Sequence, residues 1–323
     1  MLTDNHGRVV NYLRLAVTDR CNLRCFYCMP EEGIDWLKRQ DLMSYEEMLR
    51  ICGVLVQNGI SKIRITGGEP FVRKDIMLLL SGLAAMNGLQ ELTLTTNGTV
   101  TAPYIPELKR LGIRSVNLSI DTLDRNRFFS ITRRDELPAV LHTMEELLRH
   151  GIQVKLNAVV MDGRNTEDIV PLVALTRELP VSVRFIEEMP FNGSGELRPL
   201  NWDHVRIAEH IKAAYPGMEK VQDPQFSTSY NYTIPGHKGG VGIIAAYTRS
   251  FCGTCNRIRI TPQGMLKTCL YDSGVLNVRD LMRAGNSDEQ VMATIQTAIG
   301  QRAVNGFEAE KNATHESMAA IGG

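Results

Sequence analysis

Six of the chain's seven cysteines fall in two triplets. Cys21, Cys25 and Cys28 are spaced Cys-x3-Cys-x2-Cys, and Cys252, Cys255 and Cys269 are spaced Cys-x2-Cys-x13-Cys. Three thiolates on one loop can hold three irons of a [4Fe–4S] cube and leave the fourth iron open to a small molecule. Zinc is the competing claim, but closed zinc sites take four ligands. Near the first triplet the closest extra candidate, His6, is expected in a mobile end. His237 precedes the second triplet by 15 residues, so zinc stays open there. Cys52 falls on the apolar stripe of a helical segment and reads as a small buried residue.

The elements that position these loops alternate. Candidate strands are 12–17, 62–65, 91–95, 115–120, 153–160 and 181–186, with apolar stretches at helical spacing between them. Ser44 with Glu47 three residues on forms a capping box for a helix that Gly59 can stop. Helices over 137–150 and 166–179 are closed by Gly151 and Pro180. Six β-then-α units imply an α/β fold with a parallel sheet and right-handed crossovers. An open or partial (β/α)6 TIM-like barrel is expected. The first cysteine triplet would follow its first strand.

Strands buried on both faces of a parallel sheet read as continuous apolar runs. These alternate instead. Leu13 and Leu15 oppose Arg14, Ile63 and Ile65 oppose Arg64, and Val154 and Leu156 oppose Lys155. With helices over the apolar faces, the other faces line a polar lumen whose fixed charges are Arg14, Arg64, Lys155 and Arg184. Such a lumen is built to enclose a small anion, phosphates above all. An antiparallel sheet with one wet face gives the same alternation, but the helix-length spacing argues against it.

Composition removes other classes. Lys+Arg and Asp+Glu number 36 each, which offers no electrostatic case for a nucleic-acid binder. At 43% hydrophobic and 22% charged residues the chain is not a disordered one. No membrane span is expected, since the runs 76–80 and 241–247 are far too short. The polar start lacks a signal-peptide core, so the expected location is cytoplasmic, where thiols stay reduced.

The first triplet, in Cys21-Asn22-Leu23-Arg24-Cys25-Phe26-Tyr27-Cys28, resembles the motif of the radical S-adenosylmethionine (radical SAM) superfamily. Gly67-Gly68-Glu69-Pro70 resembles that superfamily's turn after the second strand, with glycines that let backbone approach a ligand closely. The spacing of the second triplet, in Phe251-Cys252-Gly253-Thr254-Cys255-Asn256-Arg257-Ile258-Arg259, resembles the auxiliary cluster of the GTP 3′,8-cyclases of molybdenum cofactor biosynthesis. The likeness extends from Arg14 to the terminal Gly322-Gly323.

This resemblance implies a radical SAM partial barrel over 1–235 and a C-terminal region over 236–323 that carries a second Fe–S cluster and the Gly-Gly tail. It implies two [4Fe–4S] clusters held by the six cysteines, and S-adenosylmethionine contacted by Tyr27, Gly68, Glu69, Ser119 and Met189. GTP would be held by Arg14, Arg64, Thr95, Lys155, Arg257 and Arg259. Reductive cleavage of the sulfonium would give a 5′-deoxyadenosyl radical that removes hydrogen from C3′ of the ribose, and C3′ would then attack C8 of the guanine. Gly322 and Gly323 would enter the active site and assist catalysis. The resemblance also implies a homodimer and a reductase- or flavodoxin-type electron donor. The next enzyme would be cyclic pyranopterin monophosphate synthase.

Two other functions compete. A peptide-modifying radical enzyme would share the first half, but such enzymes usually carry more C-terminal cysteines than the three here. A zinc-stabilised RNA-binding or scaffold protein is disfavoured by the zero net charge and by 9 Phe with 2 Trp for base stacking.

Overall fold

The computed structural model of the protein describes residues 1–30, 32–189, 191, 200–311 and 316–322. An N-terminal hairpin, β1 (Leu2–Thr3) and β2 (Val9–Val10), precedes a series of parallel strands and helices. These are β3 (Tyr12–Ala16), α1 (Tyr45–Gln57), β4 (Lys62–Thr66), α2 (Ile76–Ala84), β5 (Glu91–Thr96), α3 (Ile105–Arg110) and β6 (Ser115–Ser119). There follow α4 (Arg125–Thr132), α5 (Leu137–Arg149), β7 (Gln153–Val160), α6 (Ile169–Glu178), β8 (Ser182–Glu187) and α7 (His204–Ala214). The remainder holds β9 (Glu219–Lys220), β10 (Ser229–Thr233), β11 (Gly240–Ile244), β12 (Arg257–Ile260), β13 (Met265–Lys267) and β14 (Leu276–Asn277). Helices α8 (Val278–Arg283), α9 (Asp288–Ile299), α10 (Gly306–Glu310) and α11 (Met318–Ile321) end the described chain.

Twelve strands form one sheet in the order β14-β13-β12-β3-β4-β5-β6-β7-β8-β11-β10-β9. The strands from β12 through β11 in that order are mutually parallel, so the parallel array has eight members rather than six. The two extra strands come from beyond residue 235: β11 lies against β8 and β12 against β3, at opposite ends of the array. The sheet therefore runs unbroken across the 235/236 boundary. Physically, β3 and β8 would otherwise be edges with unpaired backbone groups.

Alternation decides the faces. Leu13, Leu15, Ile63, Ile65, Val154, Leu156, Val183 and Phe185 are buried in one core cluster with Ile51 and Leu55 of α1, Leu79 of α2, Leu147 of α5 and Leu172 of α6. Each such side chain contributes about 1.5–3 kcal/mol by leaving water. The register sets the opposite face in rows: Arg259 beside Arg14 beside Arg64, Asn117 beside Lys155, and Asn157 beside Arg184.

The capping box is present. Glu47 N–H donates to Ser44 Oγ (3.2 Å), and Ser44 N–H donates to Glu47 Oε2 (2.7 Å). Gly59 turns the chain at φ +111° just past the helix. The segment expected as one helix over 166–179 opens instead as a 3-10 turn, Thr166–Asp168, before α6. Ser44→Ala is expected to lower unfolding free energy by about 0.5–2 kcal/mol without altering ligand binding. Urea titration checks this, and an unchanged midpoint would contradict the capping assignment.

Candidate functional site

The polar face of the array lines one cavity of about 290 Å³, near the low end of ligand pockets, which run about 300–1,000 Å³. All six triplet cysteines line it. So do Tyr27, Gly68, Thr95, Ser119 and Met189, together with Arg14, Arg64, Arg184, Arg257 and Arg259. Residues separated by more than 200 positions in sequence thus meet because β12 pairs with β3.

The first cysteine loop is braced by the Gly67-Gly68 turn. Gly68 N–H donates to Thr18 O (2.7 Å) and Glu69 N–H donates to Arg20 O (2.8 Å). A Cβ on Gly68 would lie 2.3 Å from Arg20 O, and Gly67 sits at φ +154° with Thr18 O 2.6 Å from where its Cβ would be. The close approach these glycines permit is therefore to the cysteine loop itself. Asn97 Nδ2 reaches Cys21 Sγ at 3.6 Å and Asn22 Oδ1 at 2.9 Å. Tyr27 Oη donates to Asp121 Oδ2 (2.7 Å), and Asp121 also lines the cavity. Burial pushes the Asp121 carboxyl up to about 6, against the lowering effect of the Tyr27 hydroxyl. Burial also raises the three thiols: Cys21 to about 11 with Glu69 adding to it, and Cys25 and Cys28 further, where neighbouring sulfurs and Asp121 add to it. Thiols so placed ionise when a cation shares the site.

Glu69 does not face the cavity. Its carboxylate is fully buried and accepts from Phe71 N–H (3.2 Å), Thr96 Oγ1 (2.8 Å) and Asn97 N–H (2.6 Å). Its side chain ties the turn to the end of β5, which leaves the backbone carbonyls of the turn as its groups for a ligand. Lys155 lies on the polar face of β7, as its alternation predicts. It lies two residues back along the polar face from Asn157, which lines the cavity, whereas Lys155 does not. Burial, with Arg184, Arg64 and Lys62 nearby, brings its ammonium down to about 8.

The second cysteine loop has a different electrostatic setting. Burial would raise Cys255, but Arg257 and Arg302 outweigh it and bring the thiol down to about 6. Arg257 Nη2 lies 3.5 Å from Cys255 Sγ. Arg257 and Arg259 are enclosed between β3 and β13 rather than set along a solvated edge. His237, the open zinc candidate, is engaged elsewhere: its Nδ1 is 2.7 Å from Thr176 Oγ1, and it is absent from the cavity wall. His6 sits in the β1–β2 hairpin with Nε2 2.9 Å from Arg302 O, not in a mobile end. Among the described residues no three His, Cys, Asp or Glu side chains converge on a single ion-sized point.

Arg249 and Arg302 in the cavity wall pair with Glu310 and Asp4, whereas five other cations there have no acid partner among the described residues. Among the described residues no carboxylate pairs with Arg14, Arg64, Arg184, Arg257 or Arg259. The Nε atoms of Arg14, Arg64 and Arg184, with Asn117 Oδ1 and Asn157 Oδ1, are buried without a hydrogen-bond partner. Burial and neighbouring guanidiniums bring Arg14 down to about 10. Unpartnered guanidinium donors are the chemistry of an anion site, and the two amide oxygens are acceptors for a ligand's N–H or O–H groups.

The tail completes the cavity wall. Met318 and Ala319 line it, and Ile321 packs with Phe191 and Tyr271, against which Met189 also rests. Gly322, at φ +87°, accepts from Arg259 Nη1 (2.8 Å). A Cβ there would lie 2.5 Å from Ala16 Cβ and 2.8 Å from Thr66 Oγ1, so only glycine fits. Gly323 and the loop residues 192–199 lie outside the described residues. Strand alternation could not find Arg302, Met318 or Ala319, which sit outside the parallel strands.

Comparison with known proteins agrees with this geometry. The Radical SAM superfamily profile matches residues 15–176, and the Molybdenum Cofactor Synthesis C profile matches 181–307. The chain is 43% identical over 287 residues to the GTP 3',8-cyclase of Peptoclostridium acidaminophilum, covering 88% of each chain. This chain belongs to the GTP 3',8-cyclase family of the radical SAM superfamily. It is also 39% identical to the mitochondrial GTP 3',8-cyclase of Arabidopsis thaliana, covering 94% of this chain and 78% of that one. Against molybdenum cofactor biosynthesis protein 1 of Mus musculus it is 40% identical over 93% of its length but spans only 48%, about half, of the mouse protein. In fold it is similar to Streptococcus suis SuiB bound to S-adenosylmethionine, with a TM-score of 0.64 at 17% identity over 90% of this chain and 68% of that one.

Membership of the superfamily implies an Fe–S cluster and S-adenosylmethionine. Gly68→Ala would push the cysteine loop outward, so the anaerobically reconstituted variant is expected to hold about four irons fewer than the parent chain. Parent-level iron in that variant would contradict the bracing role.

Proposed function

We propose that the protein cyclises GTP to (8S)-3′,8-cyclo-7,8-dihydroguanosine 5′-triphosphate, the first step of molybdenum cofactor biosynthesis, within a partial (β/α) barrel. The observation that carries this reading is one cavity lined by two separate cysteine triplets and by five guanidiniums that no carboxylate among the described residues pairs with. Family membership supplies the reaction class. Cys21, Cys25 and Cys28 would hold the cluster that takes S-adenosylmethionine, and Cys252, Cys255 and Cys269 the second, each in the [4Fe–4S] form with one iron open. When bound and reduced, a cluster of the first kind supplies the electron that splits the sulfonium.

The chain's own residues set geometry and exclude water. Tyr27, Gly68, Ser119 and Met189, all in the cavity wall, would contact S-adenosylmethionine. Arg14, Arg64, Arg184, Arg257 and Arg259 offer forked donors that match phosphate oxygens, and Thr95 and Asn157 add neutral polar groups. Fixing the nucleotide at its triphosphate and at its base leaves one ribose C–H facing the radical source, which is the positional control such chemistry needs. Lys155 would act from beneath, as a charge rather than a contact. Gly322 would close the wall next to Arg259 and keep solvent from the reacting ribose, and Gly323 would assist catalysis with it.

A homodimer, a cytoplasmic location, a reductase- or flavodoxin-type electron donor and hand-over to cyclic pyranopterin monophosphate synthase rest on the family likeness. No helix among the described residues is long and apolar enough to cross a membrane.

Anaerobic incubation with GTP, S-adenosylmethionine and a strong reductant is expected to yield 5′-deoxyadenosine and a cyclised nucleotide together. Formation of 5′-deoxyadenosine with GTP unchanged would contradict the assigned substrate. Deleting Gly322 and Gly323 is expected to leave folding and iron content intact while abolishing cyclisation. Parent-level turnover by the truncated chain would remove the tail from the mechanism.

A further inference from the structure

Arg302 has no place in the scheme above, yet its side chain is 3% exposed and fully engaged. It lies in the turn after α9, far in sequence from the cysteines it touches. Its Nη2 donates to Cys255 Sγ (3.1 Å) and to Arg257 O (3.0 Å), and its Nη1 donates to Cys255 O (2.9 Å). Asp4 Oδ2 stands 3.5 Å from Nη1 and 2.6 Å from Arg8 Nε. Arg8 in turn donates to Cys252 O (3.0 Å), Val304 O (2.8 Å) and Ala303 O (2.9 Å). His6 Nε2 is 2.9 Å from Arg302 O. The N-terminal hairpin and the 302–304 turn therefore grip the second cysteine loop from behind. The first loop has no comparable cation on its sulfurs; Cys21 Sγ is met by Leu23 N–H at 3.4 Å and by the neutral Asn97 amide.

We propose that Arg302 is a positioning residue of the second triplet: it fixes the register of Cys255 against Arg257 and, through its charged N–H on Cys255 Sγ, makes the second cluster easier to reduce than one without that donor. The claim rests on the two-cluster reading. The physical cause is that a reduced cluster carries one more negative charge, and a charge-assisted donor at a coordinating sulfur stabilises the more negative state. One planar guanidinium reaches these acceptors from two nitrogens in a fixed fork, a geometry that the single nitrogen of an ammonium does not reproduce. Losing its register would also swing Arg257, whose carbonyl Arg302 holds and whose side chain lines the cavity.

The test compares the full chain with Arg302→Gln and Arg302→Lys, each reconstituted anaerobically, by iron analysis and by redox titration followed by electron paramagnetic resonance. The second cluster's signal is the one that shifts on adding GTP; the first cluster's shifts on adding S-adenosylmethionine. The expected result is about eight irons in each protein. In Arg302→Gln the second cluster's reduced-to-oxidised ratio at fixed potential falls about tenfold, a midpoint shift of about 59 mV downward for one electron, with the first cluster unmoved. Arg302→Lys, which keeps the charge and loses the fork, shifts the same way by less. If Arg302→Gln fails to hold its second cluster, the lysine variant carries the comparison. An iron-replete variant with the parent midpoint overturns the inference. A parent chain with about four irons overturns the two-cluster reading, and this inference with it.

Discussion

The whole arrangement depends on positive charge held inside the protein with no carboxylate among the described residues paired to it. Five guanidiniums, those of Arg14, Arg64, Arg184, Arg257 and Arg259, face one cavity, and three of their Nε atoms lack any acceptor. An uncompensated ion taken out of water costs of order several kcal/mol. The fold tolerates this because the strands that present the arginines are fixed by a separate requirement, the apolar core on their other face. Leu13 and Leu15 cannot leave that core without surrendering their burial, so Arg14 between them cannot leave the cavity. The stored cost is relieved when a polyanion binds, which is a physical reason for affinity and selectivity to reside in the same residues.

The two cysteine triplets exploit this setting in opposite ways. At the first, the surroundings raise the thiols, and neutral groups contact the sulfurs. At the second, Arg257 and Arg302 favour the thiolate at Cys255. One cavity thus offers two electrostatic environments for thiolate sulfur.

Much of this was legible in the chain because alternation and punctuation are local signals. Each of the six expected strands is present within a residue or two of its expected ends, and the cap at Ser44 and the stop at Gly59 are as read. The cationic face followed from period-two alternation alone. What local signals cannot encode is which distant strands share an edge. The pairing of β12 with β3 and of β11 with β8 brings residues beyond 235 into the array and carries the second triplet to the cavity of the first. The turn at Glu69 was legible as a motif, but a motif position does not reveal side-chain direction: three donors behind the turn claim its carboxylate. Lys155 lies on the right face but in the layer behind Asn157, a depth that alternation does not report. Arg302 sits in a turn with no periodicity at all, and only its partners identify it.

The central claim is that small molecules, rather than side chains, complete both metal centres across a shared cavity. Pulsed magnetic resonance on the reduced protein, with nitrogen-15 placed in turn in the guanine of GTP and in the methionine amine of S-adenosylmethionine, tests it directly. The account predicts guanine coupling confined to the centre held by Cys252, Cys255 and Cys269, and amine coupling confined to the centre held by Cys21, Cys25 and Cys28. Absence of both couplings with both ligands bound, the irons being closed by protein groups, would contradict it.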